Sequence, residues 1–289
     1  MLLQSLLRPV LTPLMRGMFD APIASSAAWS PLALWPDGIA SPGMWISPRD
    51  LTSQWADYTG TTPVAVPGTV ADSSNPVGLA LDIRAGATVL TDPGNHMLQS
   101  TSAARPLMSA YDGQTLGPGD TYSSTGYPIF QKYDGTDDGM ATATFPAGTL
   151  IDGMDCQIAV RRDSAAQCVA GLYEMQEIYF GHAQAGSGFL CWNDVGTPTV
   201  WVDGVQLSGG TSVTANTLNT ALTVGDWHIM EFRNLDLSSL TQVGWGDFGS
   251  GYSVNGARGD IMLFESTAST ADKDAARQYL ADYYGVTLP

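Results

Sequence analysis

The sequence predicts a mainly β fold, an antiparallel sandwich or barrel, with an extended N-terminal arm before it and a helix at its C-terminal end. Three observations predict it. Among 289 residues, 32 are Gly and 17 are Pro, while Lys and Glu, the usual formers of helix surfaces, number two and four. Such a composition disfavours helix-rich architectures. From Ile129 onward, short β-branched and aromatic runs recur at roughly eight- to twelve-residue spacing with Gly, Asp and Asn between them. Finally, Val200-Trp201-Val202-Asp203-Gly204-Val205-Gln206-Leu207 reads as two strands around Asp-Gly, a pair that tolerates the positive φ angles of a type I′ hairpin turn.

Composition divides the chain into an arm (1–22), a connector (23–128) and a body (129–289). After Met1 the arm reads LLQS, LLRP, VLTP, LMRG, MFDA, a repeat of four. A continuous helix would rotate the apolar pairs off any one face, and Pro9 and Pro13 would each delete a helical hydrogen bond. Short turns or extended chain fit better. Either form leaves Leu2, Leu3, Leu6, Leu7, Val10, Leu11, Leu14, Met15, Met18 and Phe19 without enough local partners, so the arm is expected to seat in a groove of another protein, packing back on its own domain being the alternative. Burying all ten would gain roughly 15 kcal/mol before ordering costs. Arg8 and Arg16 against Asp20 leave the arm net positive on an acidic chain, which suits docking on an acidic surface.

The connector holds Trp29, Trp35, Trp45 and Trp55 with Pro22, Pro31, Pro36, Pro42 and Pro48 between them. Proline spacing excludes long helices, and the tryptophans read either as anchors of irregular chain or as a surface that another subunit covers. Residues 61–128 stay rich in Gly, Pro, Thr and Ser, and little regular structure is expected beyond runs such as Val77 to Ile83. In the body, strands are expected at Met140 to Phe145, Asp155 to Arg161, Val169 to Tyr173, Ile178 to His182, Phe189 to Trp192, Thr199 to Val202, Val205 to Leu207, Trp227 to Arg233 and Gly259 to Phe264. One helix is expected at the end, capped by Ser269 or Thr270 and closed by Gly285, with Ala276, Tyr279, Leu280 and Tyr283 on its packed face.

Twelve Lys and Arg against 28 Asp and Glu give a net charge of −16. That is too acidic for a partner of nucleic acid or of an anionic membrane surface. Cys156, Cys168 and Cys191 follow no metal-ligand spacing and read as buried thiols of a protein made in a reducing cytoplasm. No apolar run approaches the roughly 20 residues of a membrane span, and Arg8, Arg16, Pro9 and Pro13 interrupt the opening stretch, so a cleaved secretory signal is not expected.

Several segments together resemble a known family. Tyr133-Asp134-Gly135-Thr136-Asp137-Asp138, Trp201-Val202-Asp203-Gly204-Val205, Gly225-Asp226-Trp227-His228 and Gly259-Asp260-Ile261-Met262-Leu263-Phe264 resemble the landmarks of laminin-G-like, concanavalin-A-like jelly-roll domains. The Ser269 to Gly285 helix resembles the tail of that domain in bacteriophage and prophage structural proteins. Upstream, Trp45 to Leu51, Asp57 to Val64, Asn75 to Leu79, Gly94-Asn95-His96 and Ala103 to Pro106 are similar to the leader of the same virion proteins. The resemblance implies a two-sheet jelly-roll sandwich and a minor virion component such as a head or tail fibre, a decoration or an adhesion protein. It implies partners among capsid, portal or neck, or tail proteins, and a homo-oligomer, trimeric in a fibre. The glycine-rich stretch Tyr111 to Tyr127 departs from the pattern.

Enzymatic readings find little support in the residues. Glu174 and Glu177, the close Glu pair, would point to opposite faces of a strand, whereas a retaining glycosidase needs two carboxylates about 5 Å apart. His96, His182 and His228 fall in unrelated segments, and neither HExxH nor GxSxG occurs. The expectation is therefore a protein that is not an enzyme and carries no cofactor. Calcium is the exception, because Asp134, Asp137 and Asp138 crowd one turn and hard cations prefer such oxygen-rich loops. The rival function is lectin-like binding of a host glycan. Trp245 and Trp192 are the expected stacking faces, with Asp247 and Asn193 as hydroxyl partners; glycines around Trp245 are expected to expose it.

Overall fold

The computed structural model describes residues 29–64, 76–87, 89–109, 128–145, 149–164, 173–174, 178–246 and 254–289. The arm, Cys168, Glu177 and Asp247 lie outside them. Strands in chain order are β1 (Met44–Ile46), β2 (Gln54–Trp55), β3 (Leu79–Ala80), β4 (Met97–Leu98), β5 (Leu107–Ser109), β6 (Phe130–Asp134), β7 (Gly139–Thr142) and β8 (Asp152–Arg162). They continue with β9 (Tyr173–Glu174), β10 (Ile178–Phe180), β11 (Trp192–Asn193), β12 (Gly196–Val202), β13 (Val205–Gln206), β14 (Trp227–Asp236), β15 (Gly244–Gly246) and β16 (Asn255–Glu265). Two α-helices join them, α1 (Ala215–Ala221) and α2 (Thr270–Tyr284).

Among the described residues these strands make two antiparallel sheets that pack as a sandwich. Sheet A runs β13-β12-β14-β8-β16-β6-β5, with β1 also on β16. The first half of β16 pairs with β6 and its second half with β1. Sheet B runs β11-β10-β9-β15-β7-β4-β3-β2. The connector is thus woven into both sheets: β1 and β5 join sheet A, while β2, β3 and β4 extend sheet B. Residues Pro31–Pro289 form one compact unit.

Alternation explains the long strands. Met154, Cys156, Ile158 and Val160 of β8, Met230 and Phe232 of β14, and Ile261 and Leu263 of β16 fill the space between the sheets. The opposite face of sheet A is covered as well, so β8 and β16 are buried along almost their whole length and read in sequence as continuous runs. Helix α2 supplies part of the cover. Its Arg277 pairs with Glu231, Lys273 reaches Asp155 at 2.8 Å, and Gln157 Nε2 donates to the Lys273 carbonyl at 2.9 Å. The connector tryptophans supply the rest. Trp35 stacks on Trp45 at 6.0 Å, meets Phe264 edge-on at 6.2 Å and donates from Nε1 to the Leu263 carbonyl. Of the two readings of these tryptophans, Trp35 and Trp45 follow the first: they are anchors within the chain.

Local turn and cap chemistry behaves as the sequence requires. In the β12–β13 hairpin Val202 pairs with Val205 around Asp203 (φ 51°) and Gly204 (φ 80°). Ser269 caps α2 by accepting from Asp272 N–H, and Gly285 closes it at φ 72°. Two expectations are corrected. Phe189 is 74% exposed and Leu190 40% exposed; the strand expected there is only Trp192–Asn193. Helix α1 was not expected, because Ala-Asn-Thr-Leu-Asn-Thr-Ala has weak helix propensity; Thr214 starts it by accepting from Thr217 N–H at 3.1 Å. Cys156 and Cys191 are buried free thiols, and burial pushes both well up from the ordinary thiol range.

Candidate functional site

The outer side of sheet B carries an open cleft of about 520 Å³ over β4 and β7. Leu98, Met140 and Ala141 lie along its strands, Ser100, Thr101 and Ala104 form one wall, and Gln242, Thr142 and Asp137 complete it with Tyr58. Tyr58 is 44% exposed. Its position follows from the chain around it. Asp57 accepts N–H bonds from Thr59, Thr61 and Thr62, which closes the loop. Desolvation opposes ionisation there, but the Thr59 and Thr61 hydroxyls together with the Thr61 and Thr62 N–H groups prevail and hold the Asp57 carboxyl well below the usual carboxylate range. Gly78 lets the loop lie close, since a Cβ there would stand 2.7 Å from the Asp57 carbonyl carbon and the Tyr58 nitrogen. Arg105 then ties the two walls together by donating to the carbonyls of Ala56, Gln99 and Ser100.

The amides in the cleft are oriented before any ligand arrives. Gln99 Nε2 donates to the Gly139 carbonyl at 2.7 Å and its Oε1 accepts from Thr101 N–H at 3.0 Å. Gln242 Nε2 donates to the Thr142 carbonyl at 2.7 Å. Fixed amides, exposed hydroxyls of Ser100 and Thr101, and one half-exposed aromatic ring make a surface that can meet a polyhydroxylated ligand.

At one end the β6–β7 turn brings Asp134, Asp137 and Asp138 together, one carboxylate oxygen from each lying within 4.8 Å of the others. Asp138 is 6% exposed and accepts from Asp134 N–H at 2.9 Å, while Asp134 accepts from Thr136 N–H. Burial, which outweighs that N–H bond, and the charges of Asp134 and Asp137 push the Asp138 carboxyl up to about 7. The donor chemistry suits Ca2+, but one oxygen from each of three carboxylates leaves several of the roughly six to eight positions to other oxygens, and two of the carboxylates are already engaged by backbone N–H groups.

Asp138 carries a pH dependence whose sign follows directly. Unfolded it ionises near pH 4 and folded near 7, so between those values the folded state holds an extra proton and stability declines as pH rises. Asp138→Asn keeps an oxygen for the Asp134 N–H and removes the buried charge. It is expected to melt several degrees above the wild type at pH 8, with the difference shrinking towards pH 5, as read by thermal denaturation across that range. A pH-independent difference would show that Asp138 does not titrate there.

The glycan-stacking residues expected from sequence are not brought together. Trp245 and Trp192 are both buried in the core, and β10 and β9 lie between their strands in sheet B. The error concerns Gly246. A Cβ there would stand 2.3 Å from the Asp138 carbonyl oxygen, so the glycine serves close approach of β15 to β7 and does not expose the ring. Asn193 is exposed and donates to Asp194 Oδ2 at 3.3 Å. Glu174 falls on β9.

A second cleft, of about 370 Å³, lies beside His228, Asp203, Asp226 and the end of α2. Thr223 N–H donates to His228 Nε2 at 3.0 Å, which places the ring proton on Nδ1, 2.7 Å from Asp203 Oδ2. Asp203 Oδ1 accepts from Ile229 N–H, and the Thr223 hydroxyl donates to Asp226 at 2.8 Å. This carboxylate, imidazole and hydroxyl chain clips the hairpin turn to β14. Sequence spacing gave no sign of it, because Asp203 and His228 meet only through the β12–β14 pairing.

Fold and cleft define an antiparallel β-sandwich with a polar, open groove on one outer face. A scan against family models, a search of curated proteins and a search of solved structures each return no match.

Proposed function

We propose that this protein is a non-enzymatic phage virion component whose sandwich binds carbohydrate of the host surface through the cleft of sheet B. The observation that carries the carbohydrate reading is the cleft itself: Tyr58 stands half-exposed over a groove edged by oriented amides and hydroxyls. A sugar ring lays its C–H face on an aromatic ring while amides and carboxylates take its hydroxyls. The virion reading draws its support from the order of the sequence landmarks and from the two-sheet sandwich they imply. Tyr58→Ala is expected to lower binding to host-surface polysaccharide at least tenfold, corresponding to roughly 1.4 kcal/mol, with the melting temperature almost unchanged. Unchanged binding by that variant removes the cleft from the proposal.

Attachment to the particle falls to the arm in this proposal. Its apolar repeat supplies the seat on a capsid, neck or tail partner, and the compact unit of Pro31–Pro289 supplies a body with its own core. A chain beginning at residue 24 is expected to fold and to stop co-sedimenting with particles. Folding together with full co-sedimentation removes the arm's role.

A further inference from the structure

We infer that the sheet B cleft selects neutral or amine-bearing saccharides and rejects acidic ones such as uronates and sialosides, an inference that rests on the carbohydrate reading above. The charge of the lining carries it. Among the described residues that line the cleft, none is Lys, Arg or His, and the one carboxylate is the exposed Asp137. Asp134, also exposed, stands within the same cluster, so negative charge is concentrated at that end.

Recognition of a sugar carboxylate calls for a guanidinium or ammonium that can face it. Arg105 lies on the same segment but not in the lining of the cleft, and its three nitrogens each donate to a backbone carbonyl, of Gln99, Ala56 or Ser100, which pins the guanidinium between the walls. Its role is to hold the walls. The remaining lining groups are amides, hydroxyls, a phenol and apolar side chains, which pair with hydroxyl and acetamido groups without needing a counter-charge. Asp137 can accept from a sugar hydroxyl, and it can accept more strongly from a protonated sugar amine. The whole chain's net charge of −16 adds a background that repels polyanions.

The test is equilibrium binding of the full chain and of Asp137→Asn to a panel of neutral, glucosamine-type and uronate- or sialic-acid-bearing oligosaccharides of matched length, at low and at physiological salt. For the wild type, the tightest acidic saccharide is expected to bind at least roughly tenfold more weakly than the tightest neutral or amine-bearing one, with the gap narrowing as salt rises. Asp137→Asn is expected to lose preference for amines over neutral sugars and to bind acidic sugars better. Acidic saccharides bound as tightly as neutral ones overturn this inference and leave the carbohydrate reading standing. No binding to any saccharide overturns both.

Discussion

Asp260→Ala is expected to lower the stability of the protein by about 3–5 kcal/mol, the cost of breaking a buried charge pair by removing one partner. Asp260 is fully buried on the outer face of sheet A, where three separate segments meet. Its Oδ1 accepts from Trp45 Nε1 at 2.9 Å, and its Oδ2 accepts from the Tyr284 hydroxyl at 2.8 Å and faces Arg49 Nε at 3.3 Å. The Tyr284 hydroxyl accepts from Asp260 N–H in return. Burial, and then the Asp260 charge, hold that phenol well above its ordinary range, so it stays a donor. Arg49 lies between the rings of Tyr279 and Tyr283, 4.0 and 4.2 Å from their centroids. Alanine would leave the indole N–H and the phenol without their acceptor and the guanidinium without its counter-charge, and the seating of α2 and of the Trp45–Arg49 segment against β16 would loosen together. At roughly 2–4 °C per kcal/mol for a chain of this size, the melting temperature should fall by about 10 °C. Asp260→Asn, which keeps the acceptor oxygen and loses the charge, should fall by less. A loss below about 1 kcal/mol for the alanine variant, within the range of ordinary surface substitutions, would show that the network does not hold this face.

What was legible in the sequence was what local chemistry decides. Asp203-Gly204 fixes its turn through backbone dihedrals, and Ser269 and Gly285 fix the ends of α2 through groups within a few residues of them. Long strands such as β8 and β14 announce themselves because each carries several side chains into the core. Two-residue strands cannot. β2, β3 and β4 have no alternation to read, and their pairing depends on partners 17 to 26 residues away, so the connector reads as irregular in the sequence. The candidate cleft was hidden for the same reason. Tyr58, Gln99, Asp137 and Gln242 belong to four distant segments that only the order of sheet B makes neighbours. Trp245 was misjudged because a glycine permits close backbone packing as well as exposure, and sequence does not distinguish the two.

Arg258→Met is expected to do the opposite of Asp260→Ala and to stabilise the protein by roughly 1–4 kcal/mol, the range for buried ion pairs that give way to apolar side chains of similar volume. Arg258 is fully buried between the sheets. Its Nη2 donates to Gln131 Oε1 and its Nη1 meets Met97 Sδ at 3.2 Å, while Nε has no hydrogen-bond partner. Among the described residues no carboxylate is ion-paired with it. Desolvation is the dominant influence on the group and lowers its proton affinity, so the charged form costs free energy that a neutral amide and a thioether do not return. Methionine would follow much of the same path through the core. It would orphan nothing at Gln131, whose Oε1 still accepts from the Tyr133 hydroxyl at 3.1 Å and whose Nε2 still donates to Gln54 Oε1 at 2.9 Å. Urea denaturation is the appropriate measurement: a rise in midpoint at constant slope is expected, since the change removes a penalty without altering the surface buried. A lower midpoint would mean that the guanidinium bond to Gln131 organises the Gln54–Gln131 link between the two sheets more than its burial costs.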